Sequence, residues 1–193
     1  MGQVWQARVP AGRSEPRRLA LVLSDAHDDG ARVDVDARRF AGLAADVLCT
    51  ASFDPDENVV ALDVAAHRIP KAGPMSWVEL SDDDARPPAV VLQAHDAAPE
   101  SAWRLGSQAT QPPVGWVRWY PMTGLLEDIW VQPERRRSGV ATALLYAADT
   151  LSAARAWQRL WADGQRTDLA DRLRDQDTWR QRAADRTHLA QPE

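Results

Sequence analysis

LLEDIWVQPERRRSGVATALLYAADTLSAA, residues 125–154, follows Gly124 and reads as a strand, a turn with three arginines, a glycine and a helix. Leu126, Ile129 and Val131 have the apolar, partly β-branched character of a buried strand, and Pro133, with no N–H to give a ladder, stops it. Behind Gly139, the residues Val140, Leu144, Ala147 and Leu151 recur at helical spacing on one face. The first amides of a helix have no internal partners and carry the positive end of its dipole. Arg135, Arg136 and Arg137 beside such an end make a turn suited to phosphate.

Working outward, strands are expected over 89–95 and 114–120, and with 125–131 they form an antiparallel meander. The first half reads as short strands over 4–9, 18–24 and 31–35. A helix is expected over 36–48, where Phe40, Leu43, Ala44 and Val47 fall at helical spacing. Asp54, Pro55 and Asp56 mark a turn before a strand over 58–69, and the Pro, Gly and Asp content of 70–88 predicts a loop. Beyond the long helix, 156–162 and 168–184 read as helical, with Trp157 and Trp161 sharing one face.

At 193 residues the chain suits one domain with a real core. A net charge of -5 argues against nonspecific binding to DNA or an anionic membrane, both of which require a dominant positive field. No run has the length to span a bilayer, and the first residues lack the apolar centre of a signal peptide, so a cytoplasmic location is expected. Cys49 is the sole cysteine, which leaves no internal disulfide and no multi-cysteine zinc site.

The turn resembles the cofactor motif of the GNAT acetyltransferase superfamily, Gln/Arg-x-x-Gly-x-Gly/Ala, with Arg136, Gly139 and Ala141 in its three defining positions. Val131 and Pro133 match the Val-x-Pro that family members tend to carry upstream, and Glu134 matches the charged residue after it. The resemblance covers roughly residues 114–154. It implies an α/β fold with a GNAT-like mixed, mainly antiparallel central sheet flanked by helices, followed here by a helical C-terminal segment. The chain is then a single GNAT-like domain over 1–193, with a divergent N-terminal part at 1–88, a cofactor-binding core at 89–154 and a helical tail at 155–193.

The ligand so implied is acetyl-CoA or another acyl-CoA. Gly139 lets the backbone approach a pyrophosphate, Ala141 leaves room for it, and Val140 opens the helix with an apolar residue. Arg136 or Arg137 can add charge-assisted hydrogen bonds, and Ser138 and Thr142 offer hydroxyls. In the family the pantetheine arm pairs with the strand before the turn, which implicates Ile129 and Val131, and the amide of Val131 is the natural oxyanion donor. A Glu on that strand often serves as the base. Glu127 is the first choice and Asp128 the second, with an edge carboxylate paired to Arg118 or Arg104 as the structural alternative for Glu127.

The function implied is transfer of an acetyl group to a small-molecule or peptide amine by direct attack in a ternary complex, with no nucleic acid or membrane partner. A homodimer is compatible with this pattern. The Asn-x-x-Ala and helical Tyr that most members carry past the helix are not found, and Tyr120 and Tyr146 are the only tyrosines. The alternative is therefore a catalytically silent GNAT-like module that binds CoA or a protein. His27, His67, His95 and His188 show no metal-ligand spacing, and Cys49 reads as a buried, inert thiol. Most of the nine tryptophans read as core.

Overall fold

Apolar residues on both faces of the first strand demand cover from two sides, and the chain supplies it with a second sheet and two helices. In the computed structural model, which describes residues 2–12, 16–96, 103–105 and 112–163, the first half forms a five-stranded sheet. Its strands are β1 (Gln3–Val9), β2 (Arg18–Ser24), β3 (Arg32–Asp34), β4 (Val47–Phe53) and β5 (Val59–Val64), in the order β3-β1-β2-β4-β5. Only β3 runs parallel to its neighbour, β1. A short helix α1 (Ala37–Gly42) packs Phe40 over the outer face, where Trp5, Ala7, Val22 and Val35 form a small core.

The second sheet contains β6 (Met75–Asp82), β7 (Ala89–Asp96), β8 (Trp103–Leu105), β9 (Gly115–Trp119) and β10 (Leu126–Val131), in the order β10-β9-β7-β6-β8. Here β8 is the parallel member, beside β6. Helix α2 (Val140–Ala154) fills the space between the sheets. One core joins Leu21, Cys49 and Leu62 of the first sheet, Leu92, Val117 and Trp119 of the second, and Leu144, Ala147 and Leu151 of α2. The mainly antiparallel α/β class read from the sequence holds, organised as two sheets on one shared helix.

The sequence pattern gives α2 one apolar face, yet every residue except Ala141 and Ala154 is buried. Ala143, Ala147, Ala148 and Ala153 let both sheets come close, and the Thr150 hydroxyl donates to the Tyr146 carbonyl at 2.7 Å, so a polar residue enters the core with its proton satisfied.

Three local expectations are corrected. The helix over 36–48 ends at Gly42, and β4 begins at Val47, because the apolar spacing of Phe40, Leu43 and Val47 runs on through a turn into a strand. The loop over 70–88 contains β6, whose consecutively buried Trp77, Val78 and Glu79 lack the alternation of a half-exposed strand. Since β6 pairs with β7, a division of the chain at residue 88 falls inside the second sheet.

The third correction is at 156–162, which is not helical. Ala156 has φ 55°, its amide bonds to the Ala153 carbonyl, and the Trp157 amide bonds to the Ser152 carbonyl at 2.8 Å. That is the Schellman arrangement, and it ends α2. Trp157 then packs on Trp119, while Trp161 pairs in parallel with Leu125, so the two tryptophans do not share a helix face. The helix expected over 168–184 lies outside the described residues.

Gly124 makes this return path feasible. At φ 74°, a Cβ there would fall on the Arg159 carbonyl as the chain crosses back, and the Trp161 amide bonds to the Gly124 carbonyl at 2.9 Å.

Glu79, 1% exposed, fastens the second sheet to the end of α2 through a two-pronged contact with Arg155, one prong being Nη2 to Oε2 at 2.6 Å. Arg155 also stacks over Trp157, 4.9 Å from its centroid. Burial pushes the Glu79 carboxyl above its ordinary value of 4.5, and the Arg155 charge opposes that shift. An acid with a raised folded pKa holds more protons folded than unfolded, so its contribution to stability is greatest below 4.5 and is lost as pH rises through the folded value. Urea titrations of wild type and Glu79→Gln across this range should show wild type losing stability relative to the variant as pH rises. The opposite slope would mean that pairing outweighs burial.

Candidate functional site

Site geometry begins with a defect in β10. Between Leu126 and Asp128 the register against β9 shifts by one residue, which places Asp128 opposite Arg118 and leaves Glu127 in a bulge. Simple alternation would send Glu127 and Asp128 to opposite faces. The bulge overrides it: Glu127 Oε2 lies 2.6 Å from Arg118 Nε and Asp128 is paired in register with Arg118, so both residues project from the face that carries Arg118, with the Asp128 carboxylate turned to the edge.

Arg118 also holds Asp82, with Nη2 2.9 Å from Oδ2. Tyr120, two residues on, hydrogen-bonds to Glu127, and this carboxylate contact raises the phenol above its ordinary value because it stabilises the neutral hydroxyl. From the sequence, Asp82 belongs to an acidic run, 82–84, that hints at a cationic amine but is more often a solvated loop, and Tyr120 is not singled out as a site residue. The spacing of Arg118 and Tyr120 at i and i+2 was the available signal for a shared face. Arg104 lies among residues whose side-chain placement is outside the described set.

Beyond the bulge, the edge of β10 away from β9 is free among the described residues. The Gln132 amide bonds to the carbonyl of Val114, the residue before β9, at 2.9 Å, so by alternation the polar groups of Ile129 and Val131 face outward. Their local partners agree. The Ile129 N–H donates to Asp128 Oδ1 at 2.7 Å, and the Val131 carbonyl accepts from Arg136 Nε at 3.3 Å. On the same side, at the other end of β10, the Leu126 amide bonds to the Trp161 carbonyl at 2.8 Å. The neighbouring chain thus touches Leu125 and the first residue of β10, and among the described residues the outward Ile129 N–H and Val131 carbonyl have side-chain partners.

The turn follows directly. Pro133 opens a single 3₁₀ turn to Arg135. The three arginines then part company. Arg135 reaches the Ala72 carbonyl at 2.7 Å and Asp96 Oδ1 at 2.5 Å, so it clamps the turn to the rest of the fold and does not join a cradle. Arg136 and Arg137 are exposed, with no carboxylate paired to either among the described residues. Ser138 donates its hydroxyl proton to the Arg135 carbonyl at 2.5 Å, which leaves it no proton for an anion.

Arg137 at φ 61° and Gly139 at φ 93° bracket Ser138 in the turn before α2. Gly139 also caps α2. A Cβ there would meet Ile69 at 3.4 Å, so the glycine is required by its positive φ rather than by an approaching ligand. No side chain caps the helix, and its first turn holds no acid. The first helical bond closes from the Ala143 amide to the Gly139 carbonyl at 2.9 Å, so the amides of Gly139, Val140, Ala141 and Thr142 precede the helical ladder. Val140 and Thr142 are buried and Ala141 is half-buried.

The remaining candidates take structural roles. Cys49 is fully buried, and burial pushes its thiol up to about 12, which removes it as a nucleophile. His27 packs edge-on against Trp5, and His67 contacts the Ala45 carbonyl. His95 is buried near Gln93. Among the described residues no group of His, Cys, Asp and Glu could hold a metal ion, and no helix is long and apolar enough to cross a membrane.

Among curated proteins and among solved structures, none matches the chain. Residues 71–172, more than half of it, match the Acetyltransferase (GNAT) family. That span takes in the whole second sheet, the arginine turn and α2. A strand with a bulge and an edge that is free among the described residues, leading into a helix with no side-chain N-cap, lies within the span that the match covers, and the chain belongs to the GNAT acetyltransferase family.

Proposed function

We propose that the chain transfers an acetyl group from acetyl-CoA to an amine by direct attack in a ternary complex. Family membership carries acyl-CoA-dependent acyl transfer in general. The observation that supports the specific reading is the junction of two binding elements: the outward edge of β10 at Ile129 and Val131 runs straight into the amides that precede the helical ladder of α2.

Arg136, Arg137 and the amides of Gly139, Val140, Ala141 and Thr142 would hold the pyrophosphate. The Ser138 side chain contributes by fixing the turn through its bond to Arg135. The N–H of Ile129 and the carbonyl of Val131 offer a donor and an acceptor to the amides of a pantetheine arm, and the Val131 N–H, expected as the oxyanion donor, in this reading lies at the pyrophosphate end of the arm and not at the thioester. From Val131 back to Glu127 is four strand steps of about 3.3 Å, or about 13 Å, a span comparable to that arm. Bound acetyl-CoA supplies the activated thioester. Its reactive end would then lie beside the bulge with Glu127 and Asp128.

There, the chain's own contribution is placement and proton handling. Alignment of two reactants can supply about 7 to 11 kcal/mol of a barrier, so an aligned amine needs only a carboxylate, directly or through water, to take its proton. Glu127 is that base in this reading, held in place by Arg118 and Tyr120. We further propose one GNAT-like domain over 1–193 and a cytoplasmic location. The single core that passes through both sheets supports the former.

The silent-module alternative has one observation in its favour, namely that Arg118 and Tyr120 both engage Glu127. Thiol release from acetyl-CoA over a panel of amines decides. Turnover that falls at least about a hundredfold in Glu127→Gln with acetyl-CoA binding retained supports the base, on the scale of general-base catalysis. Full activity in that variant removes Glu127, and no turnover with any amine favours the silent module.

Calorimetry with acetyl-CoA tests the cradle. Arg136→Ala and Arg137→Ala should each weaken binding roughly tenfold, the equivalent of about 1.4 kcal/mol, with the urea midpoint unchanged. Arg135→Ala should instead lower the midpoint, since that side chain joins the Ala72 carbonyl to Asp96. Unchanged affinity in the first two variants would contradict the assignment.

A further inference from the structure

Asp128 and Arg136 do something to β10 that the binding reading alone does not require. A free strand edge presents one N–H and one carbonyl at each outward residue. Here the Ile129 N–H is capped by an acceptor, Asp128 Oδ1 at 2.7 Å, and the Val131 carbonyl by a donor, Arg136 Nε at 3.3 Å. These are two of the four backbone groups that Ile129 and Val131 offer to an amide-bearing ligand on this edge. We infer that Asp128 is a positioning residue that occupies the cosubstrate's place on the Ile129 amide and is displaced when the cosubstrate pairs there, which couples acyl-CoA binding to release of a carboxylate beside Glu127. This inference rests on the acyl-CoA reading above.

Three features of the fold support the exchange. Asp128 is exposed and its backbone lies opposite Arg118, so its side chain can leave the edge without unmaking any core contact. The bulge keeps Asp128 on the face that carries Arg118 and Glu127, so a displaced carboxylate swings toward the acceptor side. Arg136 makes the matching move: once its Nε leaves the Val131 carbonyl, the guanidinium is available to the pyrophosphate at the start of α2. Displacement also relieves a conflict, because a carboxylate retained at Ile129 would face the carbonyl oxygen of the incoming arm.

The consequence is an order of binding. Before acyl-CoA arrives, Asp128 is tied to a backbone amide; afterwards it faces the acceptor face with Glu127 and can receive a cationic amine. No covalent step is involved.

The test is calorimetry with CoA at high ionic strength, together with the amide spectrum of the free protein. Asp128→Ala removes the competitor and should bind CoA on the order of three- to tenfold more tightly than wild type, because a hydrogen bond to a charged acceptor no longer has to be broken. Asp128→Asn keeps a weaker, neutral acceptor and should fall between the two. Glu134→Ala deletes a charge of the same sign at the turn and controls for simple repulsion, so its gain should be smaller than that of Asp128→Ala. In the free protein, the Ile129 amide resonance should shift in Asp128→Ala and should move the same way in wild type when CoA is added. Equal or weaker CoA binding by Asp128→Ala, or an Ile129 amide that does not respond, overturns the inference and leaves the acyl-CoA reading intact. Binding of CoA by neither protein overturns both.

Discussion

Burial of α2 between two sheets is the constraint on which the rest of the structure depends. A helix normally hides one stripe, but this one hides nearly its whole circumference, so its axis and both ends are fixed by contact from two directions. At its C-terminal end the Schellman cap at Ala156 and the Glu79–Arg155 contact fasten it to the second sheet. At its start, Gly139 rests against Ile69, and Arg135 ties the preceding turn to Ala72 and Asp96. The amides of residues 139–142 are therefore presented on a rigid support. Preorganised donors of this kind stabilise an anion without having to reorganise first.

The same constraint explains why strain and unusual backbone collect around the site. Arg137 with φ 61°, Gly139 with φ 93° and the bulge at Glu127 all fall within the short span between β9 and α2. A non-glycine residue held at positive φ costs free energy, and the clamp by Arg135 supplies the contacts that hold it there. The chain's return past Gly124 touches Leu125 and Leu126 at the start of β10, and among the described residues the outward Ile129 N–H and Val131 carbonyl are met by side chains. Catalytic geometry of the proposed kind thus depends on what the second sheet, the turn and the helix do together.

The sequence is informative where local chemistry decides the outcome. β10, the stop at Pro133, the glycine start and α2 all follow from short-range rules, as do β1, β2, β7 and β9. It misleads where a tertiary contact overrides periodicity. β4 hides behind a helical spacing that continues past Gly42, and β6 is obscured by flanking Gly, Pro and Asp residues, with Glu79 as an internal charge that only Arg155 makes tolerable. Trp157 and Trp161 look like a helical pair until Ala156 turns the chain. In the site, motif and spacing identify the arginine turn but cannot sort its members: Arg135 is structural because Asp96, distant in sequence, reaches it. Nor can alternation foresee the bulge that brings Glu127 and Asp128 to one face. The network of Asp82, Arg118, Glu127 and Tyr120 depends on a register that exists only once β6, β7, β9 and β10 are aligned.

The central claim is that one continuous surface, from the β10 edge to the first turn of α2, holds acyl-CoA. Amide hydrogen exchange read residue by residue, with and without acetyl-CoA, tests it most directly. The account predicts slowed exchange at Ile129, at Val131 and over residues 139–142, with the amides of β2 and β4 unchanged. Protection confined to the first sheet, or none along the β10 edge despite saturating ligand, would contradict it.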